Sequence, residues 1–375
     1  MRTWFRTLAF GCILLLFRAV APSSGAGYDN RLRLAIVGLV HGHVSGFMRL
    51  MESHKDEAQI VGIFEPSIEL QRKFAERHSL ATTAFFNDLS VMLDRTKPEA
   101  VATFTSTYDH PMVVEACASR GIHVMVEKPL AVSMEHARTI RRAANRGGID
   151  VIVNYETTWY PSRGSLWSLI KEERAAGEIR RMVALDGHSG PKEIGVPGEF
   201  LNWLTDPMKN GAGALFDFGC YGANLMTWLM DNQRPVTVTA ITQRIKPEVY
   251  PRVDDEATIL LEYPKAQGII QASWNWPFNR KDFEVYGEGG YAIATGGNAV
   301  RVRLPGKREE ARTPEPLPPD ERDSLSYLIG VVRGKRKPSG PSSLDNNMIV
   351  TEILEAARES ARRRKTITLD RNHAF

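Results

Sequence analysis

Between an apolar run and an amphipathic stretch stands AIVGLVHGHVSG, in which Gly38 and Gly42 flank a turn and His43 opens a helix. Such a turn lets backbone N–H groups and a helix N-terminus approach an anionic pyrophosphate that side chains would hold off. The spacing departs from G-x-G-x-x-G, because Val40 occupies the second glycine position and Gly42 comes one residue early. The next strand-like run ends in Ile63-Phe64-Glu65, placing a carboxylate where it accepts hydrogen bonds from ribose hydroxyls, which favours NAD over NADP. His41 and His43 are of metal-ligand type, yet no Cys, Asp or other His completes a set nearby in sequence, so no metal is expected and both are assigned to the lining of a cleft. Farther on, the spacing of Asp217, Tyr221 and Asn224 predicts that they share one helix face and point into one pocket.

The elements that must position these residues follow from hydropathy patterning. From Leu32, short β-branched runs (LRLAIVGL, AQIVGIFE, PEAVATFTS, HVMVEKP, DVIVNY) alternate with amphipathic stretches, which is the pattern of βαβ units around a parallel sheet. In the stretch from Met134 to Asn145, Ala137, Ile140, Ala143 and Ala144 face one way and Arg138, Arg141 and Arg142 another. Beyond Tyr155 a helix over about Ser165 to Ala176 precedes strands without intervening helices: VTVTAITQRI, EATILLEY, GIIQASWNW, FEVYG, YAIAT and AVRVRL. Strands in succession imply an antiparallel or mixed sheet. The expected fold class is α/β, with a Rossmann-type domain over residues 27–153 and an α+β domain with a mainly antiparallel open sheet over 154–375. A loop over Pro305 to Arg322, helices over about Ser324 to Arg333 and 346–363, and a TITL strand close the chain.

Composition narrows the class. The 375 residues carry a formal net charge of +4, and runs such as Arg362 to Lys365 read as solvated helix faces. No basic patch is interleaved with stacking aromatics, so no nucleic-acid partner is expected. Residues 1–26 read as a secretory signal: Arg2 and Arg6 precede LAFGCILLLF, and Ser24-Gly25-Ala26 offers a cleavage site. The apolar run is short for a bilayer, so the expectation is an exported, periplasmic protein without a stable membrane span, or a cytoplasmic one if that segment is not a signal. Cys117 and Cys220 are expected to be free, buried thiols.

Two further segments, VMVEKPLAVS and GAGALFDFGCYGANLMTWL, together with the glycine turn, resemble the glucose-fructose oxidoreductase, inositol dehydrogenase and rhizopine-catabolism family over Leu32 to about Leu369. The resemblance implies an E-K-P segment at the nicotinamide end of a cleft, here Glu127, Lys128 and Pro129, with the proline commonly after a cis bond. It implies that Lys128 contacts the reacting hydroxyl or carbonyl, its ammonium lowered in pKa beside a bound nicotinamide cation. Tyr221 stands where the family most often has His, as in a Tyr subgroup, and would be the general acid/base, with Asp217 binding the substrate hydroxyl or orienting the pair. The cofactor would be lined by Gly38, Val40, His41, Gly42, His43 and Glu65 from the first half of the cleft and by Thr105, His110, Glu127 and Lys128 from the second. Asn154, Tyr155, Trp159 and Asn224 would line the substrate pocket, Asn224 standing where many members carry Asp. A homo-oligomer is implied by resemblance only.

The leading expectation is hydride transfer between a nicotinamide cofactor, NAD before NADP, and a secondary hydroxyl of a sugar or glycoside. Trp159, Trp203, Trp274 and Trp276 are candidates for stacking on sugar faces. Two alternatives use the same parts: an NAD-dependent glycoside hydrolase acting by transient oxidation and elimination, and a non-catalytic sugar-binding protein that has kept the fold.

Overall fold

The computed structural model describes residues 29–370; the signal-peptide reading of residues 1–26 falls outside them. Six parallel strands form the first sheet: β1 (Leu32–Val37), β2 (Ala58–Phe64), β3 (Phe85–Phe86), β4 (Ala100–Thr103), β5 (His123–Glu127) and β6 (Val151–Asn154), in the order β3-β2-β1-β4-β5-β6. The helices α1 (Val44–Ser53), α2 (Ile68–His78), α3 (Leu89–Thr96), α4 (His110–Ala118) and α5 (Met134–Gly147) connect them. Alternate residues of β1 serve the two faces, so Leu32, Leu34 and Ile36 enter one core and Ala35 and Val37 the other.

The chain then runs through α6 (Pro161–Trp167) and one wider turn over Ser168–Glu172 into β7 (Ile179–Gly187). A long excursion follows, with α7 (Gly198–Leu204), α8 (Pro207–Asn210), α9 (Ala214–Asp217) and α10 (Gly219–Leu229). The second sheet adds β8 (Thr237–Gln243), β9 (Glu256–Glu262), β10 (Gln267–Ser273), β11 (Arg280–Gly287), β12 (Tyr291–Thr295), β13 (Ala299–Arg303) and β14 (Glu310–Arg312). The chain closes with α11 (Ser324–Val332), α12 (Leu344–Arg363) and β15 (Ile367–Thr368). Its order is β14-β13-β12-β11-β7-β10-β9-β8-β15, and only β7 and β10 pair in parallel.

The expected two-sheet α/β architecture is what the molecule has. Three strands were not foreseen: the two-residue β3, β14 within the stretch expected as a loop, and β7, which lies in the middle of the second sheet yet opens on Ile179-Arg180-Arg181 and carries only Met182 and Ala184 as inward apolar residues. Helix α11 also departs from the linear division at residue 154. Its Leu325, Tyr327, Leu328 and Val331 pack with Leu32, Leu34, Ile36 and the α1 residues Phe47 and Met51 in the core of the first sheet. Cys117 and Cys220 are free and buried.

Candidate active site

At the end of β1, Gly38 turns the chain with φ +81°, where its missing side chain is required twice over. The left-handed conformation favours glycine, and a Cβ there would lie 2.6 Å from Thr105 Cγ2. The turn is tied to its neighbours by Gly38 N–H to Phe64 O (2.8 Å) and His41 N–H to Phe104 O (3.0 Å). Thr105 packs beneath the turn, its hydroxyl bonded to Thr103 Oγ1 and Ser106 O. Glu65 does not do what its strand-end position suggests. Its two carboxylate oxygens accept from the amides of Leu39 and Ser67, both at 2.9 Å, and the residue is 2% exposed, so it braces the turn from within and offers nothing to a ribose.

The outer side of the turn is covered by the excursion from the second domain. The Phe200 ring of α7 lies against Gly42, where a Cβ would come within 2.9 Å of it, and Trp203 Nε1 donates to Val40 O at 3.2 Å. His41 is buried between these rings, 4.8 Å from Phe200 and 5.3 Å from Trp203. Trp203 therefore seals the turn and has no face left for a sugar. A shallow cleft remains beside the turn, lined by Leu39, Val40, Gly42, Lys73, Arg77 and Glu199.

Directly after β5, a cis bond joins Lys128 to Pro129. Lys128 Nζ donates to Asp217 Oδ1 at 2.5 Å and to Asp217 O at 3.0 Å, and Trp274 Nε1 donates to Asp217 Oδ2 at 3.0 Å. All three residues are buried, so Trp274 is an anchor for Asp217 and not a stacking platform. Burial opposes the charges on Lys128 and Asp217, but the ion pair outweighs it: the lysine rises above and the aspartate falls below its ordinary value. The lowered lysine expected from the resemblance is thus reversed in the protein alone, because Asp217 is a direct partner.

Tyr221 is also buried, its ring 5.0 Å from Lys128 Nζ, 4.7 Å from Lys281 Nζ and edge-on to Tyr155 at 5.6 Å. Burial, reinforced by the negative charge of Glu156, pushes its phenol well above the usual range, so the hydroxyl stands as a proton donor. Asp217 and Tyr221 meet the same lysine, but not from one helix: α9 ends at Asp217 and α10 starts at Gly219. Asn224 points away from them. It is fully buried, donating to Pro341 O at 2.8 Å and lying beside Asn347, so it fastens α10 to α12 and lines no pocket.

Asn154, at the end of β6, donates from Nδ2 to Glu127 Oε1 at 2.8 Å and accepts from Trp159 Nε1 at 2.9 Å. Trp159 packs on Tyr327 of α11 and so acts through Asn154. The other oxygen of Glu127 lies 2.9 Å from His43 Nδ1. His110 is fully buried at the start of α4, with Nδ1 3.0 Å from Leu130 O and Nε2 unpartnered among the described residues. Tyr155 is buried with its hydroxyl equally unpartnered.

Sequence reasoning missed Glu156, Asp186, His188 and Lys281. Lys281 pairs with the Glu156 carboxylate and stands opposite Asp186 across the β11–β7 register. Asp186 is buried with Oδ2 unpartnered, and burial lifts its pKa to about 7 against the pull of Arg163 and Lys281. The His188 ring meets Phe218 edge-on at 4.8 Å. A signal for two of them was present: Lys281 shares a strand face with the buried Phe283 and Val285, and Asp186 with Met182 and Ala184.

Residues 32–155 match the oxidoreductase family, NAD-binding Rossmann fold, and residues 168–293 match the GFO/IDH/MocA C-terminal domain. The chain belongs to the Gfo/Idh/MocA oxidoreductase family. Among Gfo/Idh/MocA relatives, trans-1,2-dihydrobenzene-1,2-diol dehydrogenase of Sus scrofa is 23% identical over 88% of this chain and 96% of that protein. The NADP(+)-dependent scyllo-inositol 2-dehydrogenase IolW of Bacillus subtilis is 23% identical over 70% of this chain and 76% of that protein. An inositol dehydrogenase homologue from Azotobacter vinelandii, solved with NAD+, superposes with a TM-score of 0.78 at 19% identity, covering 91% of this chain and 98% of that one. Among the described residues no helix is long and apolar enough to cross a membrane.

Proposed function

We propose that this protein is a nicotinamide-dependent dehydrogenase acting on a secondary hydroxyl of a sugar or glycoside. The observation that carries the reading is the buried Lys128–Asp217 pair with the Tyr221 ring against it, at the end of β5 beside the glycine turn. The residues fit a dinucleotide: among the described residues the Val40 and Gly42 amides of the turn keep no acceptor, the first amides of α1 after Val44 have none within the helix, and His110 Nε2 is a buried polar atom left unpartnered. Gly38, Val40, His41, Gly42 and Thr105 would bound the pyrophosphate and adenosine side, with His43, His110, Glu127 and Lys128 on the nicotinamide side. When bound, the nicotinamide ring exchanges the hydride.

The chain's own residues manage the proton. Lys128, held as a cation by Asp217, and the protonated Tyr221 hydroxyl both stand as donors to a carbonyl oxygen, which suits reduction directly. In the oxidative direction one of them must first release its own proton to solvent before it can take the proton of the substrate hydroxyl, and Asp217 keeps Lys128 aimed throughout. Asn154 orients Glu127, and Tyr155 buttresses Tyr221. NAD is kept as the first cofactor to test and NADP as the second, because Glu65, turned onto the amides of Leu39 and Ser67, no longer discriminates between them. A homo-oligomer is proposed through the open face of the second sheet, where Ile241 and Leu260 are exposed.

Lys128→Met and Tyr221→Phe are expected to lower turnover at least ~10²-fold while leaving nucleotide affinity within a few-fold. Absorbance of reduced cofactor with a panel of sugars and glycosides, assayed together with aglycone release and calorimetric NAD and NADP titrations, checks this. Normal turnover in both variants would sink the assignment, and aglycone release without net reduction would transfer it to the hydrolase.

A further inference from the structure

His41 and His43 come from the glycine turn, Glu127 from the far end of β5, and folding brings them together. One ring nitrogen of each imidazole and one carboxylate oxygen lie within 4.8 Å of one another. We propose that His41, His43 and Glu127 bind a divalent first-row transition-metal ion, with zinc as its first representative, at the mouth of the interdomain cleft. The sequence offered only the two histidines, 84 residues or more from the carboxylate that completes the set.

Two imidazoles and a carboxylate form a donor set for zinc and its neighbours, and three protein ligands leave a coordination position open. The surroundings are those of a built site. Glu127 is 1% exposed, and its oxygens meet only His43 Nδ1 and Asn154 Nδ2; among the described residues no Lys or Arg forms an ion pair with it. A buried carboxylate without a cationic partner is costly, and a bound cation offsets that cost. Asn154 is itself held by Trp159, so the carboxylate is oriented by an outer layer of hydrogen bonds, as metal ligands commonly are.

The two histidines divide the task. His41 is buried and packed between the Phe200 and Trp203 rings, which holds its imidazole in place beside His43 and Glu127. The His43 side chain is 40% exposed, so solvent or a substrate oxygen can reach the free position. His43 also stands where the third glycine of a G-x-G-x-x-G turn falls. A large ligating side chain at a position usually kept bare for close approach is accounted for by a ligand of its own.

The site shares His41, His43 and Glu127 with the residues placed around the cofactor above, so metal and NAD affinity are measured on the same samples and scored separately. The full chain, stripped with chelator, is titrated with Zn²⁺ by calorimetry and with Co²⁺ by visible absorption, and NAD affinity is determined in parallel. The expected result is about one equivalent of metal per chain with the ligand-field bands of a nitrogen- and oxygen-bound Co²⁺ ion. Glu127→Gln and His43→Ala are expected to weaken Zn²⁺ binding more than tenfold, and Asn154→Ala about tenfold, the cost typical of an outer-layer partner. Glu127→Gln is nearly isosteric, so it decides the matter if His43→Ala fails to fold. Substoichiometric binding by the unmodified chain, or undiminished affinity in Glu127→Gln, overturns the proposal whatever NAD does.

Discussion

At the scale of the residue, Asp186 shows how a single buried carboxyl can set a pH response. Its pKa rises from 3.8 to about 7, chiefly through burial. Between those values the unfolded chain has released the proton and the native chain retains it, so stability falls as pH rises through this window and levels off above about 7. Asp186→Asn is expected to flatten that part of the profile and to stabilise the protein at pH 8, as followed by thermal unfolding from pH 4.5 to 8. An unchanged slope would mean that Asp186 is not the group responsible. The sequence hid this residue because it lies on a strand that charged residues disguise. By contrast, Lys128 was legible because its neighbours Glu127 and Pro129 mark the strand end. Glu65 was legible in position but not in direction, since nothing local tells whether a strand-end carboxylate turns toward solvent or back onto the amides of Leu39 and Ser67.

At the scale of the element, the glycine turn and α7 act as one unit. The turn is shaped from below by Thr105 and Glu65 and covered from above by Phe200 and Trp203, so its conformation is fixed before anything binds. Gly38→Ala would impose a Cβ on a left-handed residue and on Thr105 together, with an expected loss of about 1–3 kcal/mol in chemical unfolding. A loss below ~0.5 kcal/mol would show that the turn relaxes more freely than its contacts imply. Period-2 and helical patterning revealed most strands and helices because each buries one stripe of apolar residues. It missed α7 to α9, helices of four to seven residues fixed by tertiary contacts, and it joined Asp217 to the helix of Tyr221 and Asn224, from which the break at Phe218 divides it.

At the scale of the whole molecule, the Lys128–Asp217 pair and the cover over the turn both bridge the two sheets, so the candidate site is assembled where the domains meet. The first sheet in turn relies on the end of the chain. Leu328 is almost fully buried in α11 among β1 and α1 residues, and Leu328→Ala is expected to cost ~2–5 kcal/mol, read from urea unfolding. A cost under ~1 kcal/mol would show that α11 only rests on the surface. The alternation of strands and helices could not disclose this return, because a helix's apolar stripe does not name its partner. The path of the chain therefore makes the nucleotide half a two-piece object, with the entire second sheet spliced between its pieces. A fragment ending near residue 155 would bare the β1 face that Leu325, Leu328 and Val331 cover. Grafting this half onto another protein thus means treating the second sheet as a removable insert, with a short linker rejoining residue 155 to α11.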